Sequence, residues 1–213
     1  MSIVSYHARV GESLLGALQT NPDLFWELPS NTGPADAELL FIDKDWQALS
    51  WLLSAKAREE QKHAVIAFDL LRCEPAGAKR DKPAWEAAKA LEAAKLGVEL
   101  VDLDLMPDDP ALIAIEGRGP QEPWLMGVSY YGGRVFAPAE VASLAAALDP
   151  ITAAEMRAQY DPQAMEKFDV AGILWTEEEP DVLDTILIPI FDRLKAFYGH
   201  AAQAGHYVLV VHW

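Results

Sequence analysis

The sequence predicts an α+β fold, a mostly helical body with a small sheet that includes the N-terminal and C-terminal strands. Three observations point there. Residues 4–10 alternate, with Val4, Tyr6, Ala8 and Val10 on one face and Ser5, His7 and Arg9 opposite. The last eight residues, His206 to Trp213, are dense in Tyr and Val and read as a buried strand. Between these ends lie apolar residues at helical spacing, punctuated by Pro, Gly and capping residues. Chain ends often meet in compact domains, so the two terminal strands are expected to pair. The alternation of the first marks it as an edge or half-buried strand.

Each helix has its own signal. Residues 11–20 and 22–28 form two short helices separated at Asn21-Pro22. Asp43 is placed to cap a helix whose apolar face is Trp46, Leu49 and Leu53. A helix over 57–72 presents Ala64, Phe68 and Leu71, and Pro83 opens an alanine-rich helix that Gly97 closes. Residues 98–105 alternate as a strand would. Pro138 starts a helix through Leu148, and Asp161-Pro162 begins another. Thr152 with Glu155, and Thr176 with Glu179, have capping-box spacing. The last helix spans 177–202 with a core stripe of Val182, Leu183, Ile186, Ile190, Leu194 and Phe197, and Pro189 should kink it.

Composition narrows the function classes. The chain has 213 residues, of which 51% are hydrophobic, enough for an ordered core without disulfides or a structural metal. The single cysteine, Cys73, fits a reducing compartment, and the sequence shows neither a signal peptide nor an apolar run long enough to span a bilayer, so the cytoplasm is expected. The formal charge is −16 and unevenly spread. Residues 55–98 hold nine Lys/Arg against seven Asp/Glu, a balance of +2, which leaves −18 on the remainder. Nucleic acid and anionic membrane need clustered cations and are not expected partners. A basic protein partner suits this surface, although the acid also serves solubility.

The stretch Leu40-Phe-Ile-Asp43-Lys-Asp-Trp46-Gln-Ala-Leu49-Ser-Trp-Leu-Leu53 resembles a helix signature of the YfbM-like family, bacterial proteins with a domain of unknown function. Phe136-Ala-Pro138-Ala-Glu140-Val141, Ala154-Glu155-Met-Arg157, Tyr160-Asp161-Pro162-Gln-Ala164-Met165 and the closing Ala201-Ala-Gln-Ala-Gly205-His-Tyr-Val-Leu209-Val are similar to that family's helix openings and its last helix–strand pair. The resemblance covers 1–54 and 108–213 and implies a single domain over 1–213, with 55–107 as an insertion. The family's Gly-Tyr-Gly-Pro-x-Arg turn stands here as Tyr130-Tyr131-Gly132-Gly133-Arg134, without its proline. The resemblance implies no reaction and no cofactor.

No catalytic or metal motif holds up. Gly127-Val-Ser129-Tyr-Tyr131 lacks the second glycine of a nucleophile elbow. Gly117-Arg-Gly119 is followed by Pro-Gln-Glu, so no dinucleotide fingerprint exists. His200, His206 and His212 recur every six residues, but a strand would hold the last two roughly 20 Å apart, too far for one ion. His7 can approach one of them across a strand pair, which still leaves a ligand set short. Asp102 and Asp104, followed by Asp108-Asp109, read as a solvated edge, and Cys73 beside Arg72 lacks a histidine motif.

The resemblance concentrates polar and aromatic residues instead at Asp43, Trp46, Tyr130, Tyr131 and Arg134, the candidate ligand- or partner-binding set it implies. The other reading of these residues is structural: Trp46 in the core and Arg134 paired to an acid. Three functions stay open. One is a non-catalytic protein-interaction module, of antagonist or immunity type, that binds a basic partner through surfaces such as Glu177, Glu178 and Glu179. Another is a small-molecule binding protein or enzyme with its pocket near Trp46 and Tyr130 to Arg134. The last is a homo-oligomeric scaffold joined through 55–107.

Overall fold

The computed structural model describes residues 4–28, 37–73, 82–118, 124–125, 133–178 and 181–213. Among the described residues the sheet has five antiparallel strands: β1 (Ser5–Val10), β2 (Ala37–Ile42), β3 (Trp124–Leu125), β4 (Gly133–Phe136) and β5 (Tyr207–His212). Their spatial order is β2-β1-β5-β4-β3. The terminal strands do pair, Ser5 opposite His212 and Val10 opposite Tyr207. However, β1 is neither edge nor half-buried. It lies between β2 and β5, and both of its faces are covered.

One face carries Ala8, Val10, Leu39, Val135, Leu209 and Val211. It is covered by α1 (Glu12–Thr20) and the 3₁₀ turn Pro22–Glu27, which supplies buried Phe25. The opposite face, with Leu40, Ile42, Phe136, Val208 and Val210, belongs to the main core. That core is built from α2 (Asp45–Leu53), α5 (Pro110–Glu116), α6 (Pro138–Leu148) and α9 (Ile188–Ala204), with α6 packed along α9. Helices α3 (Ala55–Cys73) and α4 (Lys82–Leu96) pack on each other and reach the core through α2. The short helices α7 (Ala153–Gln159) and α8 (Pro162–Lys167) close the far side.

Local punctuation sets most boundaries. The Thr152 hydroxyl accepts from the Glu155 N–H while Glu155 accepts from the Thr152 N–H, completing the expected box. Asp161 accepts from the Ala164 N–H at the start of α8, and Gly97 ends α4 at φ +64°. No described helix is long and apolar enough to cross a membrane.

Several expectations fail for identifiable reasons. Residues 98–102 are irregular and Leu103–Leu105 is a 3₁₀ turn, because the Asp102 carboxylate accepts from the Asp104 N–H and closes the backbone locally. On α3 the buried residues are Ala57 and Ile66, while Ala64, Phe68 and Leu71 are exposed. Thr176 does not open a helix: its N–H and hydroxyl both donate to Glu166, and Glu179 lies outside the described residues. The last helix begins at Leu183 with a π-helical turn to Leu187, in which the Ile188 N–H reaches back five residues to the Leu183 carbonyl. That turn precedes Pro189, whose missing N–H and ring are poorly tolerated inside regular α-helix. The inserted residue rotates the stripe, so Ile186 is exposed and Leu187, Ile188 and Phe191 are buried.

Candidate functional site

The site begins with a helix that the sequence signals only quietly. Asp109 accepts from the Leu112 N–H and Pro110 occupies the first turn, so α5 starts there. It ends at Gly117, which has φ +65° and ψ 28°. Glycine is required twice over. The left-handed conformation disfavours any Cβ, and a Cβ here would stand 3.0 Å from that of Val210 and 3.2 Å from that of Arg134. This close approach seats the end of α5 on β4 and β5 and leaves Glu116 and Arg118 on either side of the turn.

Those two side chains join α2 and α3 around a cavity of about 200 Å³. Trp46, Ser50 and Trp51 line it from α2, Glu60 and Gln61 from α3, and Glu116 and Arg118 from the end of α5. The Arg118 guanidinium donates to both oxygens of Glu60, at 2.7 and 2.6 Å, and through Nε to Glu116 at 2.7 Å. Asp108 lies 3.5 Å from the same guanidinium and 2.9 Å from Lys56. Burial pushes the Glu116 carboxyl up, and Arg118 beside it pulls the other way. Arg118, held by two carboxylates, stays protonated.

The cavity also has a polar group in reserve. Ser50 is 2% exposed, and its hydroxyl lies against the Glu116 carboxylate without completing a hydrogen bond of ordinary geometry. Trp46 is half-buried, with its ring 4.9 Å from that of His212. The His212 Nε2 is 3.1 Å from the Glu116 carbonyl. Across the cavity, Val170 sits between Asp169 and Ala171, both non-glycine residues with positive φ, at 50° and 60°. Gln61 donates to the carbonyls of Phe168 and Asp169, and the Trp175 indole donates to Val170, so three bonds hold this strained wall in place.

Of the predicted set, the described residues Asp43, Trp46 and Arg134 do not share one site. Trp46 lines the cavity. Asp43 is exposed and caps nothing, because α2 starts later, at Asp45, with Lys44 in the cap position. Arg134 is buried on β4, where it donates to Glu140 and to the Val135 carbonyl and lies over the Phe136 ring. Glu140 also accepts from the Ala137 N–H, so this pair ties β4 to the start of α6 and is a structural bracket. Tyr130 and Tyr131 lie outside the described residues. Sequence reasoning missed Ser50, Glu60, Glu116 and Arg118. The signal for the last two was Asp109-Pro110 followed by Gly117, a helix start and stop.

The described residues hold no group of three or more metal-ligating side chains. The imidazole of His7 is fully buried, 3.1 Å from the Ser5 hydroxyl, and burial with the neighbouring His212 lowers its pKa to about 3. It faces the Phe197 and Tyr198 rings and does not line the cavity.

Residues 112–211 match the model of a family described as a domain of unknown function, DUF1877. That stretch carries a YfbM-like domain of unknown function. The YfbM protein of unknown function from Escherichia coli, a crystal structure, matches at a TM-score of 0.53 with 15% identity over 98% of each chain. At that identity the likeness establishes the fold of the YfbM-like domain and nothing of its activity. No curated protein matches the chain.

Proposed function

We propose that this protein is a non-catalytic, cytoplasmic interaction module that binds a basic partner and takes one of its cationic side chains into the cavity beside Trp46. The observation that carries this reading is the composition of the cavity. Glu60 and Glu116 face a single cation, Arg118, so one negative charge is left over at a partly dehydrated position. Two indoles, Trp46 and Trp51, stand beside it, and an ammonium or guanidinium group is attracted both to the carboxylates and to the ring faces. At about 200 Å³ the cavity suits one side chain and is smaller than the roughly 300–1,000 Å³ of drug-sized ligand pockets. The Ser50 hydroxyl offers a further bond to such a group. The formal charge of −16 attracts basic partners at long range.

The test uses N-acetyl-arginine amide and N-acetyl-lysine amide, with N-acetyl-glutamine amide as the uncharged control. Binding is followed through the Trp46 indole N–H resonance at low and high salt. The cationic probes are expected to shift it saturably, less so at high salt, and the Glu60→Gln/Glu116→Gln double variant is expected to abolish the shift. Equal response to the uncharged probe, or none to either cation, overturns the proposal. The alternative reading, a small-molecule binding protein or enzyme, takes its ligand in the same cavity beside Trp46.

A further inference from the structure

A second surface stands on the opposite face of the sheet. Tyr6, Trp26, Phe41 and Trp213 form a continuous aromatic ridge. Ring centroids are 5.0 Å apart for Tyr6 and Phe41, 5.3 Å for Tyr6 and Trp26, and 5.1 Å for Trp26 and Trp213. Three of these rings remain well exposed: Trp26 at 39%, Phe41 at 43% and Trp213 at 60%. The ridge begins at Phe41 on β2, and β2 is an edge strand of the sheet among the described residues.

Among the described residues the outer edge of β2 has no pairing strand. The strand reads Ala-Glu-Leu-Leu-Phe-Ile. It lacks the proline, lysine or bulge by which exposed edges are usually protected, and its one charge, Glu38, is tied to Arg9 at 2.7 Å. The charge around the ridge is acidic. Asp23 and Trp26 are three residues apart on a 3₁₀ turn, where such positions eclipse, so Asp23 lies on the side of the turn that presents Trp26. Glu27 follows Trp26, Asp43 follows Phe41 by two residues, and all three carboxylates are exposed. Lys44 is the exposed cation beside Asp43.

From these features we infer that the open edge of β2 binds an extended, basic peptide segment of a partner protein, added to the sheet as a sixth strand with its cationic side chains on the aromatic face. Backbone bonds to β2 supply the register. Alternate side chains of the added strand fall on the face that bears Phe41, where arginine or lysine meets aromatic rings and carboxylates together. A second copy of this chain is a poorer occupant, because it would bring another −16 and the same acidic rim to the contact. The inference stands apart from the cavity beside Trp46.

The experiment uses the full chain and an acetylated, amidated alternating Arg-Val octapeptide, with the Glu-Val octapeptide as control, measured by calorimetry. The Arg-Val peptide is expected to bind and the Glu-Val peptide not. Peptides N-methylated at single positions give the decisive readout. Strand addition makes every second position intolerant, with at least a tenfold loss, while the positions between bind as before. The N-methyl series leaves the protein unaltered, so folding of a variant is not at issue. Phe41→Ser and the Asp23→Lys/Asp43→Lys pair should each weaken binding at least tenfold. Uniform tolerance of N-methylation overturns strand addition. Equal binding of the two peptides overturns the charge argument, and absence of binding overturns the whole inference. Concentration-dependent dimerisation lost in Phe41→Ser would make a second copy the occupant and overturn it as well.

Discussion

Acidification should destabilise this protein through one buried imidazole, and the size of the effect follows from the structure. His7 is fully enclosed between the sheet and α9, facing Phe197, Tyr198, Ser5 and His212. Burial and the neighbouring His212 lower its pKa from 6.5 to about 3. The native state therefore keeps His7 neutral at pH 5, whereas the unfolded chain protonates it below pH 6.5. The unfolded state binds the extra proton, so stability falls as pH falls, starting near pH 6.5 and continuing towards pH 3. At pH 5 the difference is 1.5 pH units at about 1.36 kcal/mol each, or about 2 kcal/mol. The figure depends only on the native pKa lying well below 5. Urea unfolding followed by tryptophan fluorescence at pH 7.5 and 5.0 measures it, with His7→Gln as the reference. Most carboxylate contributions are common to both proteins and cancel in the comparison. Wild type should lose about 2 kcal/mol more than His7→Gln between the two pH values. Equal losses would refute the reasoning and mean that His7 is hydrated or protonated in the native state. His212, also lowered by burial, adds a loss of the same sign in both proteins.

The cavity yields three further expectations. Gly117→Ala adds a Cβ at positive φ against Val210 and Arg134, and should cost about 1–2 kcal/mol from the backbone alone and more from the contact, read by the same urea titration. Arg118→Met strands the Glu116 carboxylate in a buried position and should cost about 3–5 kcal/mol at pH 8. Since the Glu116 pKa is raised in the folded state, protonation at lower pH relieves this variant, and the deficit should shrink on acidification; a pH-independent deficit would contradict the assigned pairing. Ser50→Ala removes a hydroxyl that completes no hydrogen bond, so thermal unfolding should show stability unchanged or slightly raised, while binding of N-acetyl-arginine amide weakens.

Much of the molecule was legible because it is decided within a few residues. Pro83 and Gly97 bound α4, Thr152 and Glu155 cap α7, Asp161-Pro162 opens α8, and Pro138 opens α6. Each is a short-range hydrogen bond or a backbone restriction, so the neighbouring residues suffice to read it. The alternation of residues 4–10 likewise marked a strand, and the pairing of the chain ends followed from compactness. The same locality explains the error at residues 98–105, where the Asp102 side chain competes for the backbone and alternation is coincidental.

The faces of those elements were another matter. Periodicity shows that α3 has apolar positions but not which neighbour covers them. The body buries Ala57 and Ile66, draws Glu60 and Gln61 inward, and leaves Phe68 and Leu71 exposed. The π-helical turn before Pro189 rotates the stripe of the last helix by one residue, a shift that no regular period contains. Arg134 is adjacent in sequence to the candidate turn, yet it serves the β4–α6 junction. The cavity joins Ser50, Glu60, Glu116 and Arg118, residues distant in sequence, and depends on Gly117 letting α5 approach Val210 to within 3.0 Å of a would-be Cβ. Sequence by itself determined the class of fold and most element boundaries, because these follow from local geometry and hydrophobic period. Tertiary structure alone decided which side chains meet, because such contacts depend on packing between segments whose separation along the chain carries no local signal.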